Sequence, residues 1–451
     1  MSGARRLTDD AIRDALAVSA RAKPRPDLDS AIARAIRTTR QDQPPLARRL
    51  GLSPGLSLPG LRVVRIGLLL ALVLALVGMA LLVGALLRRP VLPTNGAIDL
   101  VVNDQLIEVA PNGAAPRRIL SADVAAGGPV WSRDGGDLAV WMHPPAALPG
   151  QPVADPPFIA ILTADGRLTA TISTVQMALG GRAVAMGTGT ISWSPDGASV
   201  VFDAASGGQS RLYRYDLATG RVSDITPPGV QAQWPAWSPD GREIAFFSPQ
   251  SGQDDRLWVM QSAGTNAHQV GDPLPSGITV GSGTWPPQWS SDSAQVAFDA
   301  ESGATNTALY VVDVATGRQI RLGGDLQGAT APGWGPDPAQ LAFTNLNGSV
   351  SGRMDLYLGD PVTGAMRLLV PNADLWGLAP DGSSLLVGSP SCWADNRGMT
   401  IPCTSGLFSL SLDGSSRREL VSAAQLDSLA PITSTTALVG VAQAAWRPVR
   451  P

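Results

Sequence analysis

Beyond residue 90, short apolar runs recur along the chain and are separated by glycine, proline and aspartate. One unit contains the runs Glu243–Ser248 (EIAFFS) and Leu257–Gln261 (LWVMQ), and the other units repeat this pair. Runs of this length that are rich in β-branched and aromatic residues and bounded by turn residues predict β-strands. A first strand before each pair, and a fourth after a turn such as Ala315–Arg318 (ATGR), complete the unit. The pattern predicts an all-β fold built from four-stranded antiparallel sheets.

A tryptophan-led phrase opens each unit. In this phrase proline fixes φ, aspartate accepts backbone amides and glycine takes the left-handed conformation, as in a hairpin turn. The tryptophan is large enough to wedge between adjacent sheets. Successive phrases begin 62, 44, 52, 45 and 44 residues apart, so the unit has about 45 residues plus insertions. The six copies are Val130–Gly135 (VWSRDG), Ser192–Gly197 (SWSPDG), Ala236–Gly241 (AWSPDG), Gln288–Ser293 (QWSSDS), Gly333–Pro338 (GWGPDP) and Gly377–Gly382 (GLAPDG).

These phrases resemble the TolB-type, WD-repeat-like β-propeller family, whose hallmark is Trp-Ser-Pro-Asp-Gly followed by an apolar strand. The resemblance covers most of residues 95–451, and it implies a propeller that serves as a binding scaffold. The phrases depart from the family pattern at Leu378 and at Asp337–Pro338, so we expect irregular blades there.

The number of blades depends on the ends of the repeat region. Ile98–Leu120 has the pattern of strands two to four of a blade, and Ala445–Pro448 has that of an opening strand. Together they would form a composite blade that closes the ring. The prediction is therefore a seven-bladed β-propeller. Eight blades, if Leu429–Pro431 begins a decayed phrase, and six, the commonest number in the family, are the alternatives.

A long apolar segment precedes the repeats. Residues 66–87, IGLLLALVLALVGMALLVGALL, contain 22 residues and no charge. At about 1.5 Å per residue this segment matches a hydrocarbon core of about 30 Å. It is too long and too far from the N-terminus for a signal-peptide core, and no small-residue cleavage site follows Arg88–Arg89. We expect an uncleaved, single-pass transmembrane helix.

The charges on either side of residues 66–87 predict its orientation. Residues 1–65 hold 13 Lys and Arg against 6 Asp, whereas residues 90–451 hold 19 basic and 31 acidic residues. The basic excess before the span places the N-terminus in the cytoplasm and the repeats outside the plasma membrane. An acidic exterior part repels phosphate, so we expect no nucleic-acid partner. Outside the cell, Cys392 and Cys403 are expected to form a disulfide, with two unpaired thiols as the alternative.

The cytoplasmic part is short. Asp9–Ala22 and Leu28–Arg40 have helical patterns, but two such helices bury little apolar surface alone. They would dock on a cytoplasmic protein partner, lie on anionic lipid, or remain a solvated tail. Membrane-anchored anti-sigma factors are similar in layout, although their zinc motif is missing here. The predicted divisions are residues 1–40 (helical segment), 41–61 (flexible linker), 62–89 (transmembrane helix with flanking arginines) and 90–451 (propeller).

The insertions indicate where a ligand would bind. They follow strand two or strand four of a unit, and these two kinds of connection open on one face of a propeller, where binding residues usually lie. Trp234, Trp285 and Trp376 precede strand one in their units, and Trp393 lies in the cysteine loop. These four are the predicted ligand-binding residues on this face, for a protein, peptide or glycan. In the alternative interpretation they only cap the blades.

Several classes of activity lack their motifs. Two His and two Cys are too few for common zinc sites, and Gly-X-Ser-X-Gly, the P-loop phrase and His-Glu-X-X-His are missing. Peptidase propellers are followed or preceded by a hydrolase domain, and we expect none here because the repeats extend to the last residue, Pro451. We expect no cofactor, no metal and no enzymatic activity. A composition rich in Arg, Ala, Gly and Pro is typical of high-GC bacteria. Together, the anchor and the propeller predict an interaction scaffold of the cell envelope. The alternative is an anti-sigma-like transmembrane regulator whose propeller senses an external signal.

Overall fold

The computed structural model describes part of the chain beyond residue 92. The described residues are 93–102, 105–120, 125–143, 157–173, 184–248, 256–272, 279–280, 286–301, 307–323, 329–346, 354–388, 406–429 and 441–449. The predicted divisions 1–40, 41–61 and 62–89 lie outside them. No helix among the described residues has the length and apolar character needed to cross a bilayer.

The described residues form 29 strands and one helix. The chain starts with β1 (Thr94–Val102), β2 (Gln105–Val109), β3 (Arg117–Arg118), β4 (Ala125–Trp131), β5 (Asp137–His143), β6 (Phe158–Thr163), β7 (Leu168–Ser173), β8 (Val184–Trp193), β9 (Ser199–Ser206), β10 (Gln209–Asp216) and β11 (Arg221–Asp224). It continues with β12 (Gln233–Trp237), β13 (Glu243–Ser248), β14 (Arg256–Gln261), β15 (His268–Gln269), β16 (Thr279–Val280), β17 (Gln288–Trp289), β18 (Gln295–Glu301), β19 (Thr307–Asp313) and β20 (Gln319–Leu322). The last elements are β21 (Ala329–Trp334), β22 (Leu341–Leu346), β23 (Met354–Gly359), β24 (Met366–Val370), β25 (Asp374–Leu378), β26 (Ser384–Gly388), β27 (Leu407–Ser411), β28 (Arg417–Val421), α1 (Ala423–Leu429) and β29 (Val441–Val449).

The strands form seven antiparallel sheets, which confirms the predicted seven-bladed propeller. In chain order the first six blades are β4–β7, β8–β11, β12–β15, β16–β20, β21–β24 and β25–β28, and in the fourth blade β16 and β17 both pair with β18. The first strands of successive blades contact one another around a closed ring. The two blades with atypical phrases, the fifth and sixth, keep four strands. Among the described residues no eighth sheet occurs, and α1 ends at Leu429, where a decayed phrase was the alternative.

The seventh blade combines both ends of the described chain, as predicted. Its order is β29-β1-β2-β3, so the C-terminal strand is the first strand of the blade. β29 and β1 pair from Thr94 with Val449 to Val102 with Val441. Ring closure therefore depends on residues that are about 350 positions apart.

Both faces of each blade are buried, which explains the continuous apolar runs. In β13, Ile244 and Phe246 pack with residues of the second blade, whereas the alternate residues Ala245 and Phe247 pack with residues of the fourth blade. The core is therefore a ring of interfaces between neighbouring sheets.

The repeated phrase forms the turn between the first two strands of each of the first six blades. In the third blade the Ser238 hydroxyl donates to Asp240 Oδ1 (2.7 Å) and accepts from the amide of Glu243 (2.9 Å), and Asp240 Oδ1 also accepts from the amide of Arg242 (3.0 Å). Gly335 and Ala379 replace this serine in the fifth and sixth blades. Those two turns lack the hydroxyl bonds but keep the bond from the backbone to aspartate.

Three of the phrase tryptophans join neighbouring blades through the same hydrogen bond. The indole Nε1 atoms of Trp193, Trp289 and Trp334 donate to the backbone carbonyls of Val130, Ala236 and Gln288, each over 2.9 Å. Each of these acceptors directly precedes the phrase tryptophan of the preceding blade. The predicted wedge between blades is therefore also a hydrogen-bonded link.

Candidate functional site

A cavity of about 400 Å³ lies where the first strands of the sixth, seventh and first blades reach their turns. Those strands are β25, β29 and β4. The cavity is bounded mainly by tryptophan, proline and small apolar residues, and it is a shallow depression that is wide open to solvent. Its lining residues are Pro93, Pro129, Val130, Trp131, Arg133, Gly377, Leu378, Pro380, Ala444, Ala445, Trp446 and Pro448.

Departures from the repeat coincide with this cavity. Leu378 occupies the position at which five other phrases have tryptophan, and Ala444 and Ala445 give β29 small side chains. Arg133 contributes the one charged side chain among the lining residues, and its guanidinium donates to the carbonyl of Pro239 in the third blade (2.6 Å). A concave, largely apolar surface with few polar groups is typical of a binding site.

The two tryptophans of the cavity wall, like Trp237, whose Nε1 donates to Gly241 in its own turn (3.3 Å), do not donate to a backbone carbonyl of the preceding blade. Trp131 Nε1 donates to Asp99 Oδ2 (2.8 Å), and Trp446 Nε1 donates to the carbonyl of Gly96 in its own blade (2.9 Å). Neither indole bonds to the preceding blade in the way described for Trp193. Within the described part of the chain, the carbonyls of Gly377 and Ala445 therefore receive no indole N–H, although they hold the equivalent positions.

Asp99 lies behind the cavity wall and is fully buried. Its Oδ1 atom has no hydrogen-bond donor among the described residues. Burial is the main cause that raises the pKa of this carboxyl to about 7, and the negative charge of Glu108 adds to the effect. The Trp131 indole and the charge of Arg447 act in the opposite direction.

Arg447 completes this group. Its guanidinium lies 5.1 Å from the centre of the Trp131 ring, and its Nε donates to the carbonyl of Gly135 (2.9 Å). A cation over an indole face is attractive, more so away from water. The wall residue Trp131 is thus held by Asp99 at its edge and by Arg447 at its face.

Two of the predicted site residues are described, and neither lines the cavity. Trp234 is partly buried at φ 60° and packs against the cluster that contains Phe298. Trp376 is partly buried against the cluster that contains Trp446. Burial raises the pKa of Asp374, and a hydrogen bond from the Trp376 side chain opposes that shift. Trp285, Trp393, Cys392 and Cys403 lie outside the described residues, so the ligand rim and the disulfide remain predictions.

From the sequence, Trp131 was expected only to wedge between adjacent sheets. Trp131 and Trp446 are each only 9% exposed, so they are core residues that also line the cavity. The sequence signal for the cavity was the missing tryptophan at Leu378 beside the small residues of β29. Among the described residues no group of three or more His, Cys, Asp or Glu could hold a metal ion.

Comparison with known proteins yields structural likenesses only. No protein-family model matches the sequence, and no curated protein matches it. TolB from Acinetobacter baumannii is 18% identical, with 62% of this chain and 65% of that chain covered and a TM-score of 0.43. A putative TolB from Agrobacterium tumefaciens is 16% identical, with 64% and 95% covered and a TM-score of 0.43. An oligogalacturonate lyase from Vibrio parahaemolyticus is 12% identical, with 68% and 88% covered and a TM-score of 0.45.

The prediction that the chain is not an enzyme was wrong as an exclusion. Oligogalacturonate lyases are among the solved structures that match. The motifs sought in the sequence belong to other classes of enzyme, and their absence does not bear on lyases. A propeller without those motifs is therefore compatible with catalysis.

The structural likenesses concern the fold alone. At these identities and TM-scores they carry nothing about ligand or activity. The repeated tryptophan phrase and the seven four-stranded blades were established from the chain itself. The resemblance predicted from the sequence is confirmed at that level, and the chain has a TolB-like, seven-bladed β-propeller fold.

Proposed function

We propose that the propeller is a protein-interaction scaffold, and that the cavity between the sixth, seventh and first blades receives an apolar segment of a partner protein. The observation that carries this proposal is the cavity itself. Trp131 and Trp446 are among its lining residues, and aromatic side chains are enriched where proteins bind one another. The closed ring behind these residues supplies a rigid support.

The lining favours a protein segment over a glycan. A sugar needs hydrogen bonds for its many hydroxyl groups, whereas Arg133 is the one charged side chain available and is already engaged with Pro239. An extended peptide offers apolar side chains for the tryptophans and prolines.

Filling the cavity should abolish binding. We expect Ala444→Trp in the full-length protein to weaken partner binding at least tenfold, because the new side chain occupies the apolar space. The measurement is photo-crosslinking in cells from a benzoylphenylalanine placed at Pro448, compared with and without Ala444→Trp. Val362→Trp, at an exposed position on the fifth blade, is the control and should leave crosslinking unchanged.

Two results would contradict the proposal. One is equal crosslinking with and without the filled cavity. The other is capture of a carbohydrate rather than a protein at this position, since that would favour a glycan ligand.

We also infer that residues 66–87 anchor the propeller outside the plasma membrane. The support is the uncharged run of 22 residues and the basic excess that precedes it. Epitopes placed at either terminus test this inference. In intact cells, added protease should remove the C-terminal epitope and spare the N-terminal one. Protection of the C-terminal epitope, with cleavage after cell lysis as the control, would reverse the orientation.

A further inference from the structure

We propose that Asp99 is a proton-sensitive latch that fastens the composite seventh blade to the first blade, so that loss of its proton loosens the closure of the ring. The latch itself is independent of any partner. Its consequence for partner binding, through the Trp131 wall of the cavity, rests on the proposed function.

The location of Asp99 makes it a latch rather than an ordinary buried carboxyl. It lies in β1 and pairs with Ala445 of β29, so the strands from both ends of the described chain meet at this residue. Its Oδ2 atom accepts a hydrogen bond from the indole Nε1 of Trp131, which belongs to the first blade. One carboxyl group therefore contacts both sides of the junction that closes the ring.

The groups around Asp99 disfavour its charge in the closed ring. From β2, Glu108 stands directly opposite Asp99 in the antiparallel pair, where side chains are neighbours. From β3, Arg117 neutralises part of that charge through a 2.7 Å ion pair with Glu108. From β29, the positive charge of Arg447 favours the ionised form of Asp99 and opposes the effect of Glu108. The first blade contributes the Trp131 indole, which donates to Asp99 Oδ2.

The direction in which pH shifts the opening equilibrium follows from the pKa of Asp99 in the closed ring and in the opened junction. The Asp99 carboxyl has a pKa of about 7 in the closed ring and an ordinary value of 3.8 when water reaches it. Between these values the closed ring holds a proton that the opened junction releases, so rising pH favours opening. The opening equilibrium should increase by up to about tenfold per pH unit between pH 4 and 7, because one proton is exchanged, and then level off.

Hydrogen exchange of the full-length protein in detergent tests this latch. Exchange would be followed in peptides from β1 and β29 between pH 5 and 8, after correction for the intrinsic dependence of exchange on pH. We expect opening of these two strands to rise with pH and to level off near 7. Peptides from β13, in the third blade, serve as the internal control and should show no such rise.

Three variants separate a proton switch from a purely structural role. Asp99→Asn keeps an oxygen for the Trp131 indole but cannot ionise, so the rise with pH should disappear. Glu108→Gln should move the levelling point to lower pH, because a like charge is removed. Trp131→Phe should move it to higher pH, because the carboxylate loses its donor.

The outcomes are decisive in either direction. An unchanged pH profile in Asp99→Asn, or an equal rise in β13, would overturn the proposal. If Asp99→Asn does not fold, the opposite shifts in Glu108→Gln and Trp131→Phe still decide it. Since this experiment involves no partner, its failure is distinguishable from a failure of the cavity to bind protein.

Discussion

Removal of residues 441–451 should abolish cooperative folding of the propeller. These residues include β29, which supplies the first strand of the seventh blade and the buried side chain of Trp446. Loss of one buried tryptophan alone costs about 3–5 kcal/mol. The truncation also leaves β1 unpaired on one side and opens the interfaces with both neighbouring blades. Against a typical total stability of about 5–15 kcal/mol, these losses should leave no stable ring.

Thermal unfolding followed by circular dichroism checks this expectation. A chain that ends at Val449 retains β29 and is the matched control, which should melt cooperatively. Adding a peptide of residues 441–451 to the truncated chain should restore part of the transition, because the peptide can replace the missing strand. A truncated chain that melts like the control would show that closure contributes little to stability.

The repeat made the fold predictable from the sequence. Each blade packs both faces against its neighbours, so its strands appear as apolar runs at a spacing of about 45 residues. The composite blade was predictable because Ile98–Leu120 lacks an opening strand and Ala445–Pro448 lacks the strands that should follow. Pairing these two incomplete units gives one complete blade, and that blade closes the ring.

The cavity could not be predicted in the same way. It combines residues of three blades, such as Val130, Gly377 and Ala445, which come together only when the ring closes. Counting repeats treats every interface between blades as equivalent. The volume of this cavity, however, depends on side chains at several positions that are distant in the sequence. The missing tryptophan at Leu378 predicted an irregular blade, but the sheet stayed regular and the irregularity is in the wall of the cavity.

Asp99 shows a second limit of pattern analysis. In a strand with one solvated face, a single aspartate between Ile98 and Leu100 indicates an outward position. Here both faces of β1 are covered, so the carboxyl is buried and meets Glu108 across the strand pair. The polar position that interrupts an apolar run in a propeller blade is therefore a better indicator of an interface group than of the surface.

The junction of the seventh and first blades brings these special features together. The composite blade, the proton-binding carboxyl and two walls of the cavity all occur there, whereas the second and third blades follow the repeat closely. Ring closure and ligand binding would use the same residues. Changes that strain this junction should therefore affect stability far more than equivalent changes elsewhere in the ring.

Two phrase glycines provide a matched test of that asymmetry. Gly135 and Gly241 occupy the same turn position in the first and third blades, with φ of 69° and 78°. A side chain at either position has left-handed strain, which costs roughly 1–2 kcal/mol. An added Cβ at Gly135 would lie 1.7 Å from the carbonyl oxygen of Pro448, whereas at Gly241 the nearest atom is 3.6 Å away, on the Pro195 ring.

We therefore expect Gly135→Ala to destabilise the propeller much more than Gly241→Ala. Pro448 belongs to β29, and its backbone can move away only by disturbing the pairing with Asn95 in β1. Gly241→Ala should cost about 1–2 kcal/mol through strain alone, and Gly135→Ala should cost at least about 2 kcal/mol more, in the range of severe overpacking. Urea unfolding of the two full-length variants in detergent measures the difference. Equal losses would mean that the turn of the first blade does not bear on the closing strand, because left-handed strain is common to both glycines and only a side chain at Gly135 would meet the backbone of Pro448.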